Sequence, residues 1–204
     1  MILAVLGGSF DPVHSGHVAL GRHLLAGGYG ERLLVIPTAR SPHKDGPRES
    51  GSHRLAMLRL AFAGVPGSAI DDRELRRGGV SYTADTLAEL AAAHPGCELR
   101  LAIGQDNLAG FPTWRSPERI LELASLLVVS REVPGPGVPR TPAEARRMLQ
   151  EARLAGERLI WVGDFRESVS STGVRAMLAA GGDTAGILHP DVRAYIDAHG
   201  LYRA

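Results

Sequence analysis

The chain has little of what marks secreted, membrane-spanning or nucleic-acid-coating proteins. It carries one cysteine, Cys97, so no intrachain disulfide can form and nothing points to a secreted scaffold. No apolar run approaches the ~18 residues of a membrane span. The first run, in MILAVLGGSF, has no basic residue before it and is broken by Gly7-Gly8, so no signal peptide is expected either. The expected address is cytoplasmic. Net charge is nearly absent: 23 basic against 22 acidic residues leave +1. Such a chain has no overall field to hold nucleic acid or an anionic membrane, and any anion must be met locally. Lysine is scarcer still, because every basic residue but Lys44 is arginine.

What is present describes a folded chain. With 204 residues, 44% hydrophobic and 22% charged, it is too apolar and too neutral for disorder, and long enough to bury its own core. Short apolar runs at Ile2–Leu6, Leu33–Ile36, Ala69–Asp71, Leu99–Ile103, Leu126–Val129 and Leu159–Val162 alternate with segments of helical spacing. Those segments are Val18–Leu25, His53–Phe62, Thr83–Ala93, Pro117–Leu123, Ala143–Ala155, Thr172–Ala180 and Asp191–His199, several followed by glycine. Nearly continuous apolar strands imply burial on both faces. The expected fold is α/β: a Rossmann-like, doubly wound, mostly parallel sheet with helices on both faces, forming one domain over 1–204. Residues 133–142, with four prolines and two glycines, read as a flexible loop within it. Asp45–Ser52 reads as a second loop, and 183–204 as a helical tail of structural use. There is no internal repeat.

The richest segment is Gly7-Gly8-Ser9-Phe10-Asp11-Pro12-Val13-His14-Ser15-Gly16-His17, lying between the first strand and a helix that starts near Ser15. Open α/β sheets bind ligands beyond the carboxyl ends of their strands. Paired glycines let backbone approach a ligand, and the helix N-terminus adds about half a positive charge. His14 and His17, three apart, can share one ligand. A phosphate suits them best. A metal ion is a rival, but zinc wants a third protein ligand and no His-Glu-x-x-His is present; a capping role is the plain alternative. The pattern is neither a P-loop nor G-x-G-x-x-G.

Other segments carry weaker signals. Lys44 sits with Arg40, His43, Arg48, His53 and Arg54, a cluster that suits a phosphorylated ligand or is simply a solvated basic loop. Ser81–Leu87 opens a helix, where Ser81 or Thr83 can cap and a carboxylate can dock. Asp106, after Gly104, can accept ribose hydroxyls or cap a helix. Trp114, in a proline-bearing loop, can stack on a flat ring or pack. Ser170–Arg175 is a good cap sequence, and Arg175 can grip phosphate oxygens with two donors.

Taken together, the first segment resembles the signature of the nucleotidyltransferase superfamily with the HxGH motif, related to the HIGH motif of class I aminoacyl-tRNA synthetases. Pro42-His43-Lys44, Ser81-Tyr82-Thr83-Ala84-Asp85-Thr86-Leu87, Ile103-Gly104-Gln105-Asp106, Phe111-Pro112-Thr113-Trp114, Ser170-Ser171-Thr172-Gly173-Val174-Arg175 and Gly200-Leu201-Tyr202-Arg203 stand in the order of bacterial nicotinate mononucleotide adenylyltransferases. Ser9 replaces the usual threonine, Ser41 a common proline, and Val169 a typical isoleucine.

The resemblance implies adenylyl transfer from ATP, with Mg2+, to nicotinate mononucleotide, giving deamido-NAD and pyrophosphate. It implies an ATP site of Gly7, Gly8, Ser9, Phe10, His14, His17, Gly104, Asp106, Ser171, Thr172 and Arg175. It implies a mononucleotide site of Ser9, Lys44, Tyr82, Thr83, Asp106 and Trp114, with the nicotinate carboxylate on the amides of Tyr82 and Thr83. His14, His17, Lys44 and Arg175 carry the catalysis in this reading, and no protein ligand to a metal is assigned, Asp11 and Asp106 being weak candidates. The acceptor's 5′-phosphate is ionised near neutrality, its second pKa being about 6, so no general base is needed. Alternatives are nicotinamide mononucleotide or pantetheine phosphate as acceptor, a cytidylyltransferase, and a non-catalytic nucleotide sensor. A homo-oligomer is compatible with the sequence.

Overall fold

The structure, a computed structural model, describes residues 1–42, 46–130, 137–165 and 169–203. In chain order these form β1 (Ile2–Gly8), α1 (Ser15–Ala26), β2 (Arg32–Pro37), α2 (Gly51–Phe62), β3 (Ser68–Ile70), α3 (Arg73–Arg77) and α4 (Thr83–Ala93). Then follow β4 (Glu98–Gly104), α5 (Gln105–Gly110), α6 (Pro117–Leu123), β5 (Ala124–Val129), α7 (Pro142–Glu151), β6 (Leu159–Val162), α8 (Ser171–Ala179) and α9 (Pro190–His199). The six strands make one sheet in the order β3-β2-β1-β4-β5-β6. Every pairing is parallel.

The two-residue strand period sorts side chains to opposite faces. From β1, Ala4 and Leu6 enter a core shared with α1, α2, α8 and α9, through Leu24, Met57, Val174 and Ile196. Leu3 and Val5 point the other way, into a core with Leu87 and Leu90 of α4, Ile120 of α6 and Leu149 of α7. Each fully buried leucine, valine, isoleucine or methionine among them contributes about 1.5–3 kcal/mol. Among the described residues, no helix is long and apolar enough to cross a membrane.

The expected architecture holds, with differences at helix ends. Gly51 and Ser52, read as loop, belong to α2, because the Ser50 side chain accepts the His53 N–H at 3.3 Å and starts the helix early. α7 stops four residues sooner than Ala155. Arg153 turns at φ +60°, and the Leu154 N–H returns to the Leu149 carbonyl at 2.8 Å, burying Leu154. Short α3 and α5 went unread: five and six residues give too few turns for a periodic signal. Of the loop expected over 133–142, residues 133–136 lie outside the described residues, and Pro142 already starts α7.

The strand order places the site. Connections from β1 run toward β2 and those from β4 toward β5, so the chain reverses direction between β1 and β4 and leaves a crevice beyond their carboxyl ends. Gly7-Gly8 and Gly104 stand at that edge.

Candidate active site

A cavity of about 1110 Å³ opens over this crevice. It is large enough for more than a drug-sized ligand. Gly7, Gly8, Ser9, His14, His17, Tyr82, Thr83, Gly104, Asp106, Trp114, Ser171, Thr172 and Arg175 all line it. Segments more than 160 positions apart in sequence thus face one space. Lys44 lies outside the described residues.

The loop after β1 rests on Phe10. Its backbone sits at φ +49°, and its ring, 1% exposed, folds back under the loop. A Cβ on Gly8 would come within 3.2 Å of that ring, so glycine lets the loop lie flat on it. The ring also meets His17 edge-on, with centroids 4.8 Å apart. Phe10 is therefore a platform whose side chain does not line the cavity, unlike its neighbours.

His14 is the residue before the first turn of α1, not part of the helix, with extended backbone. His17 is the third residue of α1, and the two rings lie 3.8 Å apart at 33°. The His14 N–H donates to His17 Nδ1 at 3.3 Å. A neutral His17 ring so held carries its proton on Nε2 and can donate it to a phosphoryl oxygen.

The last motif joins the first by direct bonds. At the start of α8, the Ser170 side chain accepts the Gly173 N–H, and Ser171 Oγ donates to the Pro12 carbonyl at 3.0 Å. Arg175 donates through Nη1 to the Asp11 carbonyl at 2.6 Å and through Nη2 to Thr172 Oγ1 at 3.2 Å. His14, His17, Thr172 and Arg175 are thereby gathered on one side of the cavity.

Beneath them is a polar knot that sequence reasoning missed. Arg54, read as one of a phosphate-facing cluster, is 1% exposed and donates to the carbonyls of Ser9 (2.7 Å), Thr38 (2.8 Å) and Glu49 (3.2 Å). Burial lowers its pKa, and Asp11 and Tyr202 act the other way. His53 turns to Tyr195 on α9. Of the described members of that cluster, Arg48 lines the cavity. Asp11, weighed as a weak metal candidate, is 4% exposed. Its carboxylate accepts the N–H groups of Arg48 and Glu49 and the Tyr202 hydroxyl. An acid engaged in three such bonds is a structural anchor. Nothing in the local sequence distinguished it from a ligand.

Across the cavity, Ser81 does not cap α4 as expected. Its Oγ accepts the Ala39 N–H at 3.0 Å, and its own N–H donates to the Arg40 carbonyl. Tyr82 takes the capping position without a side-chain bond; the Asp85 N–H returns to the Tyr82 carbonyl at 3.1 Å, and Tyr82 and Thr83 line the cavity. Glu74 of α3 was not foreseen. It is 7% exposed, accepts from Thr86 Oγ1 at 2.7 Å, and lines the cavity. Burial raises its pKa, against the Thr86 and Ser81 hydroxyls and Arg77. Trp114 packs on Phe111 at 5.4 Å while facing the cavity, so packing and ligand contact coexist. Arg115, also missed, lies 4.4 Å over the Tyr82 ring and 3.2 Å from Asp85. Gly104 precedes α5, where a Cβ would collide with Asp106 Oδ1; exposed Asp106 faces the cavity mouth.

Among the described residues, no three His, Cys, Asp or Glu side chains cluster to hold a metal ion.

Residues 5–177 match the family described as cytidylyltransferase-like. A Pseudomonas fluorescens protein named "Probable nicotinate-nucleotide adenylyltransferase" is 40% identical over 99% of this chain and 97% of its own. One of the same name from Symbiobacterium thermophilum is 40% identical over 98% and 94%. The fold matches that of Plasmodium falciparum nicotinic acid mononucleotide adenylyltransferase complexed with NaAD, at a TM-score of 0.78, 17% identity, and 98% and 96% coverage. With its site motifs in place and full-length relatives at this identity, the chain belongs to the cytidylyltransferase-like family, among the nicotinate-nucleotide adenylyltransferases.

Proposed function

We propose that the chain transfers the adenylyl group of ATP to nicotinate mononucleotide, releasing pyrophosphate and deamido-NAD, a step of NAD biosynthesis. The observation that carries this reading is the pairing within one cavity. His14, His17, Thr172 and Arg175 line it from segments whose Val13 and Val174 pack on one face of the sheet, and the start of α4 and Trp114 line it from segments packed on the other face. The first side suits a triphosphate. The second suits a flat ring bearing a carboxylate, since helix N-termini attract anions.

An oxygen of the acceptor's 5′-phosphate attacks the α-phosphorus in line, the bond to the bridging oxygen breaks, and pyrophosphate departs. The obstacle is charge: two polyanions must meet while negative charge grows on the leaving group. Preorganised donors supply most of the acceleration in such a step. His17 stabilises the transferring and leaving oxygens, His14 the α-phosphate region, and Arg175 with Thr172 the β- and γ-phosphates. Lys44 is assigned to the acceptor phosphate or the α-phosphate by its motif alone. Tyr82 and Thr83 offer amides to the carboxylate, Trp114 a face to the pyridine ring, and Asp106 and Ser9 contacts to the sugar and phosphate. Mg2+ arrives with ATP as part of the substrate and leaves with pyrophosphate, neutralising its charge. A lone cysteine fits a reducing compartment such as the cytoplasm, the address proposed for the chain.

Pyrophosphate release and dinucleotide formation with ATP, Mg2+ and each of nicotinate mononucleotide, nicotinamide mononucleotide and pantetheine phosphate test the reading. The nicotinate compound should turn over fastest. Faster turnover of another acceptor, or nucleotide binding without pyrophosphate release, would overturn it.

A further inference from the structure

The end of the chain reaches under the phosphate loop. After α9, Gly200 turns the chain at φ +63°, and Leu201 and Tyr202 become buried, Tyr202 to 3% exposure. The Tyr202 N–H donates to Glu49 Oε1 at 3.3 Å, and its hydroxyl donates to Asp11 Oδ1 at 2.8 Å. Asp11 Oδ2 accepts the Arg48 N–H at 2.7 Å. The Asp11 carbonyl receives Arg175 Nη1 at 2.6 Å, yet that same nitrogen is 3.8 Å from Oδ2. One buried carboxylate therefore joins the C-terminal turn, the segment leading into α2, and the arginine assigned to the triphosphate. Burial and the charge of Asp11 hold the Tyr202 phenol protonated far above its ordinary range, so it acts as a permanent donor.

The distances indicate a competition. Arg175 Nη1 is already in a long ion pair with Asp11 Oδ2 at 3.8 Å, and a small shift would tighten that pair into an internal rival to the triphosphate. The Tyr202 hydroxyl and the two backbone amides occupy the carboxylate and disperse its charge. Resting on the adenylyltransferase reading, we propose that Tyr202 is a positioning residue of the ATP site: acting through Asp11, it keeps Arg175 available to the triphosphate. The C-terminal turn, separated from Asp11 by 191 positions, is on this account part of the catalytic apparatus.

Tyr202→Phe removes one oxygen and keeps the ring. It should raise the KM for ATP roughly tenfold, the size expected for loss of a hydrogen bond to a charged group, with the KM for the mononucleotide unchanged. Combined with Asp11→Asn, it should add nothing further, since both act through the same carboxylate. A lower Tm with unchanged KM for ATP well below melting would overturn the proposal, as would effects that multiply in the double variant. If Asp11→Asn does not fold, the KM split of the single variant decides. Titration of a non-hydrolysable ATP analogue without acceptor separates this inference from the proposed function. Weaker analogue binding by Tyr202→Phe sustains it even if nicotinate mononucleotide is no substrate, and equal binding refutes it even if turnover is confirmed.

Discussion

On the side of the cavity proposed for the triphosphate, Arg54, Asp11 and Tyr202 are 1%, 4% and 3% exposed, and their polar groups bond across four segments of the chain. On the side proposed for the pyridine ring, Arg115 and Asp85 hold each other at 3.2 Å with 55% and 46% of their side chains in water. Buried, hydrogen-bonded charge fixes position and is costly to disturb. Exposed pairs are worth about 0.2–1 kcal/mol and adjust readily. The contrast follows the chemistry: phosphoryl transfer needs donors fixed before charge develops, whereas holding a ring needs only a face and a few amides.

The comparison can be broken at its stiff end first. His17→Ala should lower kcat roughly 10²–10³-fold with folding intact, as for loss of one transition-state donor. Saturating steady-state rates with a circular dichroism check measure this. Arg54→Met leaves the carbonyls of Ser9, Thr38, Ala39 and Glu49, and Asp11, without their cation; urea denaturation should show a loss of about 3 kcal/mol. Should that variant stay as stable as the parent, the knot is not what holds the phosphate loop.

The opposite side should respond more gently. Trp114→Ala should raise the KM for the mononucleotide about tenfold, within the range of one lost stacking contact, while the KM for ATP stays put. Glu74→Gln sharpens the picture through pH. Burial lifts the Glu74 pKa above the ordinary glutamate range, so the stability its neutral form contributes is complete below that range and is lost as pH rises through the raised value. The variant should match the parent near about pH 5 and exceed it by roughly 1 kcal/mol near about pH 8, read from thermal melts. Equal differences at both would show that Glu74 stays charged. Arg115→Ala should change acceptor KM only about twofold to fivefold, with the difference fading at high salt.

How much was legible in the sequence follows the same division. That His14 and His17 would line the cavity was legible because the glycine pair and the start of α1 lie within a few positions of them, and Thr172 and Arg175 were legible from the Ser170 cap sequence that opens α8. The strands were readable from apolar runs. Glu74 sits in Arg-Glu-Leu-Arg-Arg, which reads as solvated charge, and became a cavity residue only when α3 packed beside α4. Arg54 looked like a phosphate ligand because it neighbours other basic residues; the helix turned it inward beneath Ser9 and Thr38. Ser81, an ideal cap by type, was drawn instead to the chain after β2.

By itself, then, the sequence determined the α/β alternation, the parallel sheet and the motifs at the ends of β1 and before α8, since short-range periodicity and glycine placement act within a few residues. The tertiary structure alone decided which charged groups meet a ligand and which brace the loop beneath it. Desolvation and hydrogen bonding depend on what packs above a side chain, and here the partners come from as far away as the last residues of the chain.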